Sequence, residues 1–294
     1  MEIRSLRYFL TIAREENMTR ASEILHVSQP TLSKTLKSLE DELGKKLFIR
    51  HSFSISLTEE GILLRKRAED LITMVDKITN EFISLDDIKG GNIYFGLAES
   101  YQIRYLAHFI KDFKKIYPKL RYHITSGDTE LVSEKLDKGI LDFAVLAELP
   151  NTNKYNYLCF PSSDIWGLVM LKDDPLANKK EISFDDLINL PLFCSEQGWN
   201  SDISSWCHNR INELHLEGSF RLSYNGSLFV YEGLGYLLTY DHLIDTSKDS
   251  KLVFRPLTPM LKANMYLIWK KNQIFSPIAQ KFLIEAKKHF LSNN

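Results

Sequence analysis

Gln29, Thr31, Ser33, Lys34 and Lys37 fall within one short stretch of the chain, and each can meet a nucleic acid. A glutamine amide pairs bidentately with adenine, and serine and threonine hydroxyls reach base edges or phosphates. A lysine ammonium neutralises phosphate or reaches guanine. Residues 28–39 hold two lysines and no acid, and residues 45–57 hold three basic groups and no acid. Two other groups could do chemistry. The carboxylates Glu99, Asp128 and Glu196 fall in loops between secondary structure elements, and the chain has three thiols, Cys159, Cys194 and Cys207. Cys207 and His208 with His215 have metal-ligand chemistry but no second C-x-x-C pair, so no metal site and no cofactor are expected. G-x-S-x-G, P-loop and H-E-x-x-H motifs are absent, and no enzyme is expected.

The elements that must position the first group are short. Leu6, Phe9, Leu10 and Ala13 recur at helical spacing. Thr19 is placed to cap a second helix over 20–25 with Ala21, Ile24 and Leu25 inward, and His26 and Val27 make a tight connection. Ser28 caps a third helix, with Pro30 tolerated in its first turn and Leu32, Leu36, Leu39 and Leu43 as its apolar stripe. Gly44 is its stop. Residues 47–49 and 54–57 read as a hairpin turning near His51, Ser52 and Phe53. Two helices at a tight turn followed by a hairpin make a winged helix-turn-helix, whose recognition helix buries one face and shows short polar and basic side chains to the major groove. The helix N-terminus at Ser28 is itself a phosphate site. Residues 1–58 carry nine basic and seven acidic groups, a small excess, so placement matters more than total. The acids Glu40, Asp41 and Glu42 fall at the far end of the recognition helix.

The whole chain, 294 residues with a net charge of −1 and 44% apolar residues, is sized for about two domains with real cores. The balance excludes a uniformly basic coat but permits a local basic face. The apolar patch near the N-terminus is too short for a signal peptide, no stretch spans a membrane, and three cysteines cannot all pair, so the expected compartment is cytoplasmic. From Thr58, a helix cap followed by Glu59 and Glu60, the positions Leu64, Ala68, Leu71, Val75, Ile78, Phe82 and Leu85 repeat 4, 3, 4, 3, 4, 3. That is the period of a seam between two helices, and dimerisation is expected along it. Leu71→Glu is expected to give a monomer with far weaker DNA binding.

After Gly90 and Gly91, which read as a break, strands and helices alternate: strand 92–97, helix 102–117, strand 120–125, helix to 138, strand 141–146. This predicts a parallel α/β sheet. A second, more ragged α/β region runs over 165–259, an apolar strand over 263–269 returns to the first, and a last helix covers 277–291. Ligands in such sheets bind beyond the carboxyl ends of the strands, where 98–101, 126–129, 195–197 and the loop near 225–227 should meet. Gln197 and Ser227 are candidates there. Three carboxylates near the mouth oppose an anion, so the expected ligand is neutral, zwitterionic or amine-bearing.

Residues 21–34 (Ala-Ser-Glu-Ile-Leu-His-Val-Ser-Gln-Pro-Thr-Leu-Ser-Lys) closely resemble the helix-turn-helix signature of LysR-type transcriptional regulators, and the likeness continues through 39–50 and 57–61. The rest of the chain resembles the family more loosely. The resemblance implies an α/β protein with an N-terminal all-α winged helix-turn-helix, a long linker helix, and a two-lobed α/β effector domain like the type 2 periplasmic binding fold. Its divisions are a DNA-binding domain over 1–58, a linker and dimerisation helix over 59–89, and an effector domain over 90–294. Lobe I covers about 90–162 and 263–294, and lobe II about 163–262. By the resemblance, Gln29, Pro30, Thr31, Ser33, Lys34 and Lys37 face the groove, Arg50 is the wing base that reaches phosphate or the minor groove, and Thr19 and Arg20 clamp the DNA backbone. The wing tip, His51 to Ser54, is poorer in basic residues than is common in the family. Ser100 and Thr129 match common effector-contacting positions, and Ser100→Ala is expected to blunt the response to ligand. Implied partners are double-stranded DNA with inverted-repeat symmetry, a small-molecule effector and further copies of the chain as dimer or tetramer; RNA polymerase is a candidate, and a membrane is not. The alternatives are a redox-sensing regulator of the same architecture using Cys194 and Cys207, and a solute-binding protein without DNA function.

Overall fold

A computed structural model describes residues 1–51, 54–83, 90–208 and 210–291. The chain divides into two units, Met1–Ile83 and Ser84–Asn294. In the first, α1 (Ile3–Glu15), α2 (Met18–Ile24) and α3 (Gln29–Leu43) precede a hairpin of β1 (Phe48–Arg50) and β2 (Ile55–Leu57), and α4 (Glu59–Ile83) follows. The apolar stripes of α1 and α3 meet in one core holding Leu6, Phe9, Ile12, Leu32, Leu36 and Leu39, closed by Leu47 and Phe48 of the wing. The wing tip at Ser52 and Phe53, and Leu85 of the heptad run, lie outside the described residues.

Local signals set most boundaries. Ser28 accepts the Thr31 N–H as the cap of α3, with Pro30 in the first turn, and Gly44 ends it at φ +66°. The second helix differs from expectation. Asn17, not Thr19, is its cap, its Oδ1 accepting the Arg20 N–H at 3.0 Å. An asparagine two residues earlier thus takes the capping role and leaves Thr19 inside the helix. Ile24 is exposed rather than inward. The tight connection is made by His26 in the left-handed region, φ +53°, a conformation uncommon for a non-glycine residue.

At the start of α4 the Thr58 hydroxyl accepts the Gly61 N–H and donates to the Lys46 carbonyl, tying the helix to the wing. A Cβ at Gly61 would stand 2.1 Å from the Leu47 carbonyl oxygen, so only glycine allows that approach. Leu64, Ala68 and Ile72 of α4 pack on the first unit's core, with Ala68 fully buried.

The second unit runs β3 (Gly90–Leu97), α5 (Ile103–Ile116), β4 (Lys119–Ser126), α6 (Thr129–Asp137), β5 (Phe143–Leu146), β6 (Tyr155–Leu171), β7 (Ile182–Ser183), α7 (Phe184–Leu187), β8 (Pro191–Ser195) and α8 (Glu196–Gly198). A π-turn over Trp199–Ile203 leads to α9 (Ser204–Trp206), then β9 (His215–Phe220), α10 (Ser223–Tyr231), β10 (Tyr236–Tyr240), β11 (Leu252–Thr258), β12 (Lys262–Lys270) and α11 (Pro277–Leu291). The strand order is β4-β3-β5-β12-β6-β10-β8-β9, with β11 and β7 joined to it through β6. The pairs β3/β4, β3/β5, β8/β9 and β8/β10 are parallel. The sheet as a whole is mixed, not parallel, because β12 and β6 run antiparallel to their neighbours. The long helix is described to Ile83, residues 84–89 lie outside the described residues, and Gly90 and Gly91, expected to break that helix, are the first residues of β3.

Each of two lobes has a main core and a smaller buried cluster. Phe95, Phe109, Phe113, Phe143 and Phe282 center the first; Trp166, Leu168, Leu192, Cys194 and Leu238 the second. The seventeen-residue β6 belongs to both: its first part pairs with β12 and its last part with β10 and β11. Among the described residues no helix is long and apolar enough to cross a membrane.

Candidate functional site

On the first unit, Gln29, Pro30, Thr31, Lys34 and Lys37 are exposed and Ser33 is half-buried, while Leu32, Leu36 and Leu39 turn inward. The helical period thus separates core from presented face. The Arg50 guanidinium donates to the Ser33 hydroxyl at 3.3 Å, bringing the wing base beside the recognition helix. Ser28 and Thr31 share a hydroxyl contact at 2.8 Å at the helix start. Thr19 and Arg20 are exposed, Arg20 being paired with Glu15 at 2.9 Å. Glu40, expected only to lie away from the groove, has a structural role. It is buried and accepts the Leu47 N–H at 2.9 Å and the Lys46 ammonium at 2.7 Å. Burial pushes its carboxyl up, but Lys46 and the backbone N–H groups outweigh this and hold it below its ordinary value. Sequence spacing alone gave no sign of that bond.

On α4, Leu71, Ile78 and Phe82 are exposed at 44%, 47% and 70%, with Val75 half-buried. The stripe that begins on the unit's own core at Leu64 and Ala68 therefore continues past it as an uncovered apolar face.

On the second unit, a cavity of about 680 Å³ opens between the lobes, within the range of small-molecule sites. Thr129 and Gln197 line it; Ser100 and Ser227 do not. Ser100 is buried, its hydroxyl donating to Asp164 and accepting the Gln102 N–H at 2.9 Å. Burial pushes the Asp164 carboxyl up, and Ser100 serves to satisfy it. Ser227 lies within α10 rather than in a loop, and its hydroxyl donates to the Tyr224 carbonyl at 2.7 Å. The segment expected at 225–227 is replaced at the wall by Ser219, Phe220, Arg221 and Ser223. Trp166, Asp202, Thr239 and Tyr240 also line the cavity. Their signal was weak because three of them sit in strands that read as plain core.

The helix N-termini at the cleft are already filled by the chain itself. Glu99 accepts the Ser223 N–H at 2.7 Å at the start of α10. Asp128 caps α6 through the Leu131 N–H at 2.9 Å, and the Thr129 N–H donates to Gln197 Oε1 at 3.1 Å. The Thr129 hydroxyl oxygen is buried without a hydrogen-bond partner among the described residues.

Residues 88–291 match the family model described as LysR substrate binding domain. Residues 3–62 match that of the bacterial regulatory helix-turn-helix proteins of the lysR family. The chain belongs to the LysR family of transcriptional regulators. It is thus a DNA-binding regulator with an effector-binding domain. The HTH-type transcriptional regulator YtlI of Bacillus subtilis (strain 168) is 35% identical over 245 residues, covering 80% of this chain and 76% of that protein. The DNA-binding transcriptional dual regulator OxyR of Escherichia coli (strain K12) is 31% identical over 199 residues, covering 67% of this chain and 65% of that protein. In fold, the LysR-type regulator resembles CbnR, a LysR family transcriptional regulator, with TM-score 0.79, 17% identity and 99% coverage of each chain. It also matches the structure of full-length CbnR complexed with its target DNA, with TM-score 0.77, 18% identity and complete coverage of both chains.

Two thiols of this LysR-type regulator, Cys194 and Cys207, are poorly set for sensing oxidants. Cys194 and Cys207 are buried in the second lobe's core. Burial pushes the Cys194 thiol far up and the Cys207 thiol to about 11, the latter against a lowering by Arg210. Oxidation proceeds through the thiolate, so raised values disfavour it.

Proposed function

We propose that this regulator reads an operator of inverted-repeat symmetry through the outer side of residues 28–37, with Arg50 on the adjoining backbone or minor groove and Thr19 and Arg20 on phosphates. The observation that carries this is the presented face itself: Gln29, Thr31, Lys34 and Lys37 exposed on a capped helix, with Arg50 bonded to Ser33. Two copies join along α4 through Leu71, Val75, Ile78 and Phe82, so that two half-sites are held at high effective concentration. Leu64 and Ala68 support the same stripe from the unit's own core. Dimers pair into tetramers through the effector domains, and the protein acts in the cytoplasm without catalysing a reaction of its own.

A small molecule in the cleft, touching Thr129 and Gln197, regulates it. The effector must bind two arrangements of the assembly with different free energies, since equal binding shifts nothing. Genome-wide footprinting followed by a titration of the recovered operator tests the DNA reading. Lys34→Ala lowers operator affinity by about tenfold, and an unchanged affinity refutes the assigned face.

A further inference from the structure

We propose that the cleft between the lobes takes a small organic cation, a protonated amine or quaternary ammonium, seated against Asp202, Trp166 and Tyr240. This rests on the cleft being the effector site and adds the charge and class of the ligand.

The first argument is charge without counter-charge. Among the described residues six carboxylates line the cavity and only one cationic side chain, Arg221, which is spent on Asp128 at 3.4 Å. Asp202 is half-buried with the Trp166 indole N–H, at 2.8 Å, as its hydrogen-bond donor. Glu148 is half-buried and has no hydrogen bond or ion pair among the described residues. A carboxylate withdrawn from water with no cation beside it is unfavourable. Burial raises the Asp202 carboxyl accordingly, and the fields of Asp202, Asp164 and Glu148 add to burial in raising Tyr240. A bound ammonium would relieve this.

The second argument is that the sites an anion would use are occupied. Anionic ligands settle at helix N-termini, where free N–H groups converge. Here the Glu99 carboxylate occupies the start of α10, and Asp128 and Gln197 take the N–H groups of α6. An anionic ligand would have to displace the chain's own carboxylates and then sit among the others.

The third argument selects an organic cation over a metal ion. The Trp166 and Tyr240 rings meet edge to face with centroids 4.6 Å apart, and both line the cavity with Asp202. Aromatic rings lining a cavity together with a carboxylate provide chemistry suited to ammonium groups. Among the described residues, no three acidic, histidine or cysteine side chains converge closely enough to hold a metal. The buried Thr129 oxygen without a partner offers an acceptor to a second N–H of the ligand.

Calorimetric titration of the full-length protein at neutral pH tests this, with putrescine and choline as cations, butanediol as neutral match and succinate as dianion. Saturable binding is expected for at least one cation, about tenfold or more tighter than butanediol, with none for succinate. Asp202→Asn, which keeps an oxygen for the Trp166 indole, weakens cation binding by about tenfold or more. Glu148→Gln, which loses no internal bond, weakens it by a smaller factor. Succinate binding as tight as the cations overturns the charge class while leaving the cleft reading intact, provided Thr129→Trp abolishes that binding. Cation affinity unchanged in both carboxylate variants, or no cation binding at millimolar concentration, overturns the proposal. Binding of any probe that Thr129→Trp leaves untouched overturns the cleft reading itself.

Discussion

Glu40 and Asp202 are both carboxylates drawn out of water, and the chain answers them differently. Glu40, in the winged unit, meets the Lys46 ammonium and a backbone N–H, and its carboxyl falls below the ordinary value. Asp202, in the effector unit, meets only the neutral Trp166 indole among the described residues, and burial raises its carboxyl. The first unit is complete inside and carries its unmet donors and apolar side chains outward, on the recognition helix and along α4. The second is incomplete inside, with its unmet acceptors turned into a cavity. One region is thus built to be joined by macromolecules from outside, and the other by a small molecule from within.

The largest effect should come from the outer surface of the first unit. Leu71→Glu places a charge in the exposed stripe of α4. Sedimentation should show a monomer, and operator affinity should fall by roughly a hundredfold or more as the benefit of two linked half-sites is lost. Its melting temperature at the winged unit should not drop, since Leu71 lies outside that core; a dimer that persists would break the outward half of the comparison. Lys34→Ala is next, at about tenfold in operator affinity. Its cation titration should match the parent's, and a change there would show that the two regions are not separable by residue.

Glu40→Gln probes the completed interior. Removing the charge opposite Lys46 should cost about 1–3 kcal/mol of stability at neutral pH, read by urea unfolding. The pH dependence has a definite sign. A folded-state value below the unfolded one means that Glu40 stabilises the fold above its unfolded value, and that this is lost as pH falls through the folded one. The parent and variant curves should therefore converge in acid, and a gap that widens there would contradict the Lys46 pairing. Ser100→Ala should have the smallest effect on function. It leaves Asp164 short of a donor and should cost about 1–2 kcal/mol of stability, with ligand affinity changed by no more than about twofold. A selective loss of ligand binding would return Ser100 to the cleft wall.

What could be read in advance follows from how far apart the partners lie in sequence. The recognition helix is specified within a few residues: a cap at Ser28, a proline in the first turn, leucines at 32, 36 and 39, and a glycine stop at 44. The cleft is assembled from strand ends and turns separated by up to a hundred residues or more, such as Glu99 with Ser223. Trp166 and Tyr240 are hidden among strand residues that serve equally well as core. Ser100 and Ser227 look like ligand-contacting hydroxyls because nothing local announces Asp164 or the helical setting that uses them. The sense of the cleft's charge was legible from Glu99, Asp128 and Glu196, since all three line the cavity. The groups that give it a binding chemistry, Asp202 and its aromatic neighbours, were not.

A single strand, β6, is laddered to β12 in one lobe and to β10 and β11 in the other. Drawing the lobes together over a bound molecule must therefore twist a continuous, hydrogen-bonded ribbon rather than swing two bodies on loose tethers. The Glu99 bond to Ser223 and the Thr129 bond to Gln197 already bridge the lobes, so any change of their angle would have to break these bonds as well as twist the ribbon.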